Sequence, residues 1–284
     1  MRIGFIGAGK VGFTLGKYLV ERDMCVSGYY SRSLRSSKEA AEFTKTKYYE
    51  SLEELVNACD TLFLTVPDGS IREVYTKLLE SDIEGKILCH CSGALSSEVF
   101  SGIQMRGAYA YSIHPIFAVS DKLTSYRDLS NAYFTIEGDK ERLEEMTELI
   151  RHLGNPVSVI AADQKIRYHA TAVFASNLVT GLYGMASQML CDCGLDAEFA
   201  EHALKPLFSY NASNLCAQGM AASLTGPVER ADIQTVEEHL EVLTPQEKQV
   251  YTQLSKQLIP IAEKKNPGRD YEPLKELLAG AEQS

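Results

Sequence analysis

The residues with the most specific chemistry stand at the amino end. Gly7, Gly9 and Gly12 are spaced G-x-G-x-x-G, with Ala8, Lys10 and Val11 between them. The apolar run Ile3–Ile6 precedes them, and a helical pattern at Val11, Leu15, Tyr18 and Leu19 follows. A strand, a glycine turn and a helix in that order open a dinucleotide-binding unit. Gly7 permits the sharp exit from the strand, Gly9 lets backbone approach a pyrophosphate, and Gly12 lets the helix pack close to the sheet. The uncommitted N–H groups of Lys10, Val11 and Gly12 would then face phosphate oxygens. A glycine turn can also serve plain strand-to-helix packing, so the flanking pattern carries the reading.

Other candidates follow in chain order. Strand-forming residues from Met24 to Tyr30 end in Ser31-Arg32-Ser33, with Arg35 beyond and no acid between Met24 and Lys38. NAD enzymes place an acid there for the ribose hydroxyls, whereas an arginine and hydroxyls suit the 2′-phosphate of NADP. The spacing therefore favours NADP over NAD, a solvated loop being the alternative. Val66-Pro67-Asp68 ends an apolar run and is expected beside the cofactor, or serves as turn chemistry. Ser92-Gly93 follows another strand, where a hydroxyl and an exposed N–H can grip a cofactor amide or a substrate carboxylate. His114, before Pro115, is expected at a strand exit, either exchanging a proton with substrate or ordering a loop. On a helix, His169, Ser176 and Asn177 fall within one arc, as substrate-facing groups or as satisfied core groups. Arg230, in Thr225-Gly226-Pro227-Val228-Glu229-Arg230-Ala231-Asp232, could hold a substrate anion or pair with Asp232. No metal site is expected: Cys89 and Cys91 share one strand face while His90 points to the other.

The elements that must position these groups change character once. Up to Ile160, strand patterns alternate with helix patterns, which predicts an α/β N-terminal domain with a doubly wound, mostly parallel sheet. The expected strands include Asp60–Val66, Lys86–His90, Tyr109–Ile113, Tyr133–Glu137 and Pro156–Ile160. From Asp163 only helix patterns remain, giving a Rossmann domain over 1–162 and a helical substrate and dimerisation domain over 163–284. The expected later helices are Asp163–Cys191, Asp196–Gln218, Ile233–Glu241 and Pro245–Lys264, with a polar tail after Asn266.

Composition narrows the function classes. A formal net charge of −10 argues against a nucleic-acid surface. Seven cysteines without a secretory leader point to reduced thiols and a cytoplasmic protein. Ala170–Leu190 carries no charge and is about 30 Å long as a helix, but its Asn177, Gln188, serines and glycines suit a buried helix or a dimer core better than a membrane span. The expected partners are a small-molecule substrate and a second copy of the chain, held through the C-terminal helices.

GFIGAGKVG, TVPD, HCSGA, SIHPIF, YHATAVFASN and LTGPVERAD occur in this order. Together they resemble the Rossmann-like oxidoreductase group that carries the domain of unknown function 2520. More distantly the chain is similar to the 6-phosphogluconate and 3-hydroxyisobutyrate dehydrogenases, ketopantoate reductase, pyrroline-carboxylate reductase and the deazaflavin-linked NADP reductases. The resemblance implies an NADP-binding first domain, a helical second domain that often dimerises, Ser92-Gly93 as a substrate-binding pair and Asn177 as a substrate-orienting amide. It also implies a departure. Those dehydrogenases place a catalytic lysine four residues before the asparagine, where this chain has Val173. His169, eight residues before Asn177, is the expected replacement as proton donor, and Lys165 lies one turn further back. The expected activity is hydride transfer between a nicotinamide and a small, carboxylate-bearing substrate bound between the domains. An NADP(H)-binding sensor without turnover is the alternative.

Overall fold

The computed structural model describes residues 1–281. They divide into two units: one runs from Met1 to Ser176, the other begins at Asn177. In the first unit β1 (Ile3–Ile6), α1 (Lys10–Val20), β2 (Val26–Tyr30), α2 (Leu34–Thr44), β3 (Lys47–Tyr48), α3 (Leu52–Ala58), β4 (Thr61–Leu64), α4 (Asp68–Leu78), β5 (Ile87–His90), β6 (Tyr109–Ile116), β7 (Tyr133–Gly138), α5 (Leu143–His152), β8 (Val157–Val159) and α6 (Lys165–Ala175) follow one another. The strands form one sheet ordered β3-β2-β1-β4-β5-β6-β7-β8. All neighbours run parallel except the β6–β7 pair. The chain leaves β1 in one direction and returns on its other side as β4, so the topological switch lies between β1 and β4.

Strand periodicity sorts side chains to two faces. Ile3, Phe5, Phe63, Cys89, Tyr111 and Phe134 enter one core, while Ile6, Leu62, Leu64, Leu88 and Ala110 enter the other. Phe5 stacks on Tyr29 and Phe63 across the three central strands. Helix starts follow local chemistry. Ser33 caps α2, and Ser51 with Glu54 forms a reciprocal capping box on α3.

β6 departs from expectation by continuing through His114 and Pro115 to Ile116. Its pairing with β5 stops at Ser112, so from Ile113 onward β7 is its partner. An edge position tolerates a proline, which lacks an N–H to donate. His114 therefore sits inside a strand, opposite Thr135, and not at a strand exit.

The change from strands to helices falls at Ala161–Asp163, yet α6 groups with the sheet, and the first unit runs to Ser176. The single helix expected over Asp163–Cys191 is interrupted. A 3-10 turn covers Ala162–Gln164, α6 ends at Ala175, and Ser176 has φ −131° and ψ −78°. This break removes the common helical arc assumed for His169 and Asn177.

The second unit contains α7 (Asn177–Asp192), α8 (Ala197–Gln218), α9 (Met220–Ser223), α10 (Pro227–Arg230), α11 (Ile233–Val242), α12 (Pro245–Lys265) and α13 (Glu272–Gly280). Its core gathers Val228, Val236, Leu240, Ile259, Ala262, Tyr271, Leu274 and Leu278. The tail expected to be polar thus contributes α13 to that core. α7 buries no residue and α8 buries Ala200 alone, so the uncharged stretch read as a buried helix or a dimer core is not buried within the described residues. No helix of the described residues is long and apolar enough to cross a membrane.

Candidate active site

β1 ends at Ile6 and the backbone turns at Gly7, whose φ is +107°. A Cβ there would come within 2.8 Å of the Thr65 backbone, so the turn demands glycine twice over. A Cβ on Gly12 would stand 2.5 Å from the Gly7 carbonyl oxygen, which is why α1 packs this close to the turn. Gly9 differs: the nearest atom to a Cβ there is 4.0 Å away. Its open face, together with an α1 amino end that no side chain caps, leaves N–H groups directed at free space. Those two observations fit a pyrophosphate.

The space beside this corner is a cavity of about 350 Å³. Gly7, Ala8 and Gly9 line it with Ser31, Arg32, Ser33, Val66 and Pro67, all of them expected at the cofactor. Ser36 from α2 and Ser70, Glu73, Val74 and Lys77 from α4 add to the wall. Lys77 Nζ donates to Glu73 Oε1 at 2.7 Å. The pocket thus carries two cationic groups, Arg32 and Lys77, and one carboxylate. Arg35 pairs with Glu39 at 2.9 Å on an exposed helix face and does not line the pocket.

A second group of polar residues gathers at the carboxyl ends of β5 and β6. His90 is fully buried; its Nδ1 accepts the Ser92 N–H at 3.2 Å, so its Nε2 donates to the Ser96 carbonyl at 3.1 Å. Burial pushes its pKa down to about 4, and the Lys165 charge adds to this. Ser92 is equally committed. Its hydroxyl donates to Asp68 Oδ2 at 2.6 Å and accepts the N–H groups of Ala94 and Leu95. The carbonyl of Ser92 accepts Lys165 Nζ at 2.9 Å, and the same ammonium donates to Ser112 Oγ at 2.7 Å. Lys165 is 1% exposed, and burial lowers its pKa to about 8 against the opposing pull of Glu137.

Above this anchored layer two imidazoles converge. A Cβ on Gly93 would lie 2.8 Å from both His114 Nε2 and His169 Nδ1. The rings stand edge to face with centroids 6.5 Å apart. His114 Nδ1 is held by Tyr168 Oη at 2.6 Å. Burial first, then the Lys165 charge, lowers the His114 pKa to about 4, so this ring is neutral at pH 7. His169 Nδ1 is buried and has no hydrogen-bond partner among the described residues. An orphaned buried nitrogen costs about 1–3 kcal/mol unless a ligand satisfies it. The arrangement can grip one polar atom between two imidazoles and exchange a proton with it.

The structure therefore brings Gly93, His114 and His169 together but turns Asp68 and the Ser92 hydroxyl towards each other, as a brace between α4 and the β5 loop. Ser176 closes α6 by donating to the Ala172 carbonyl at 2.6 Å. Asn177 and Arg230 belong to the second unit. Arg230 is half-exposed and pairs with Asp232 at 3.5 Å, the bracing role weighed for it from the sequence. Glu73, Lys77 and Tyr168 are among the residues that the sequence did not mark as site members. Glu73 and Lys77 share an α4 face with Ser70 and Val74, and this i, i+3, i+4, i+7 spacing after Pro67 was a readable signal. Tyr168 offered none, being adjacent to His169 and thus on a different part of the helix.

Comparison with known proteins agrees with this architecture. The model of the Rossmann-like domain matches residues 1–115, and that of the domain of unknown function 2520 matches residues 132–258. No curated protein sequence matches. Among solved structures, protein TM1727 from Thermotoga maritima is similar over 92% of this chain and 98% of its own, with 28% identity and a TM-score of 0.73. The candidate NADP oxidoreductase BF3122 from Bacteroides fragilis is 23% identical over 91% of this chain and 98% of its own, with a TM-score of 0.65. The pyrroline carboxylate reductase of Plasmodium falciparum, solved with NADP bound, is 15% identical over 94% and 97%, with a TM-score of 0.59. An uncapped glycine corner on a doubly wound sheet, followed by α6 and the helical unit, is thus the framework of a chain that carries a Rossmann-like domain and the domain of unknown function 2520.

Proposed function

We propose that the protein is an NADP-dependent oxidoreductase acting on a small carbonyl- or imine-type substrate. One observation carries the reading: the unpartnered His169 Nδ1 meets His114 Nε2 over Gly93, on the same sheet whose switch point holds the glycine corner. The fold likeness to proteins solved or described with NADP supports the cofactor class. When bound, NADP supplies or accepts the hydride. Gly7–Gly12 would hold its pyrophosphate, and Arg32, Ser33 and Lys77 would hold its 2′-phosphate through charge-assisted hydrogen bonds. Gly93, having no side chain, lets His114 and His169 converge, and the two rings would orient the reacting group. His169 donates or accepts the proton at the substrate oxygen or nitrogen. Asn177 is kept as an orienting amide on chemical grounds, being a two-way hydrogen-bonding group, whereas Arg230 would have to leave its pair with Asp232 to grip a carboxylate.

We also read the chain as a homodimer through its C-terminal helices. Leu207, Tyr210 and Met220 are 67%, 70% and 65% exposed, an apolar display that a second copy would cover. A second functional reading, an NADP(H) sensor without turnover, is favoured by the closed hydrogen bonding of Ser92, which leaves its hydroxyl no free valence for substrate. A panel of keto acids, aldehydes and cyclic imines, followed by NADPH absorbance, separates the two. Turnover of one class, reduced about 10²–10⁴-fold in His169→Ala with NADPH affinity retained, is expected. Tight NADPH binding with no consumption across the panel would favour the sensor.

A further inference from the structure

Tyr168 sits one residue before His169, so a single turn of α6 supplies both a face of the site and a contact to the facing strand. Its hydroxyl is 2.6 Å from His114 Nδ1, and its ring stands perpendicular to the imidazole. The direction of that hydrogen bond decides what His114 can do. Burial raises the phenol pKa, so Tyr168 carries one hydrogen at pH 7. Thr135, the cross-strand partner of His114, makes no side-chain hydrogen bond among the described residues. The phenol hydrogen therefore has His114 Nδ1, 2.6 Å away, as its acceptor, and Tyr168 donates to that nitrogen. A neutral imidazole that accepts at Nδ1 must carry its hydrogen at Nε2. That nitrogen is the one aimed over Gly93.

We propose that Tyr168 is a positioning residue that fixes His114 in the Nε2–H tautomer and aims that N–H at the space over Gly93. His114 then acts as a hydrogen-bond donor to the reacting oxygen or nitrogen, and His169 is the group that moves the proton. The titratable groups around the ring support this division. Lys165, held between Ser92 and Ser112, and the neighbouring His169 and His90 all oppose a positive charge on His114. A neutral donor polarises a carbonyl or imine without having to be reprotonated at each turnover. The assignment deepens the function proposed above and rests on it only for its catalytic consequence.

Imidazole nitrogen NMR on protein labelled with ¹⁵N-histidine tests it, the His114 signals being identified by their loss in His114→Gln. In the unsubstituted protein at pH 7, His114 Nδ1 should read as a pyridine-type nitrogen and Nε2 as a pyrrole-type N–H, unchanged down to pH 5. Tyr168→Phe should convert that pattern to a mixture of tautomers and lower kcat about 10-fold or more, with the KM for NADPH unchanged. An Nδ1–H tautomer in the unsubstituted protein overturns the proposal, as does a Tyr168→Phe spectrum identical to the parent's. If Tyr168→Phe does not fold, the parent spectrum alone decides. The tautomer is read without substrate, so a failure of the oxidoreductase reading leaves this outcome distinct.

Discussion

At the scale of single residues, Gly93 makes the sharpest commitment. Its missing side chain lets two imidazole nitrogens close on the backbone, each 2.8 Å from where a Cβ would stand. His114 cannot swing away without breaking its bond to Tyr168. Gly93→Ala should therefore lower turnover about 10²-fold, the size expected for a displacement near 1 Å at a reacting centre. NADPH affinity and thermal stability should stay close to the parent's, because neither the glycine corner nor either hydrophobic core is touched. Steady-state kinetics beside a binding titration check this, and unaltered turnover would remove this convergence from the site. Sequence alone marked Gly93, His114 and His169 one by one. It did not mark their convergence, which needs the end of β5, the extension of β6 past Pro115 and the start of α6 to meet. It also read the Ser92 hydroxyl as a ligand group, since nothing local announces that Asp68 takes it.

At the scale of elements, α6 is tethered to the sheet by Lys165, whose ammonium binds Ser92 and Ser112 at the ends of β5 and β6. The change from strand to helix patterns at Asp163 was legible, because loss of period-two alternation is a local property. The allegiance of α6 to the sheet was not, because it depends on one buried lysine that looks like a surface residue in the sequence. Nor was the break at Ser176, which lies in a run with neither proline nor glycine to announce it. The tether has a pH signature. Lys165 titrates near 8 in the folded protein and near 10.4 when unfolded. Between these values the unfolded chain binds more protons, so the lysine's contribution makes stability rise with pH from about 8 to about 10.4. Lys165→Met should lose this rise, while at pH 7 the lost hydrogen bonds and the relieved charge burial oppose each other within about 2 kcal/mol. Thermal unfolding of both proteins from pH 7 to pH 10 measures the difference. Parallel profiles would show that Lys165 is not the buried cation described.

At the scale of the whole molecule, the sequence already gave away a doubly wound sheet followed by helices, because parallel strands read as apolar runs and the glycine spacing identifies β1 and α1. The short β3 and the final α13 were missed: a two-residue strand has no period to detect, and α13 follows the Pro267-Gly268 turn in a stretch of mixed polarity. The cofactor assignment draws on both ends of the pocket, with the open Gly9 face at one and Arg32, Ser33 and Lys77 at the other. Isothermal titration calorimetry with NADPH and with NADH tests it most directly. NADPH is expected to bind about 10-fold or more tightly than NADH, a difference of roughly 1.4 kcal/mol or more from contacts to the 2′-phosphate, and Arg32→Ala should shrink that ratio. Folded protein that releases no heat with either nucleotide, or that prefers NADH, would contradict the account.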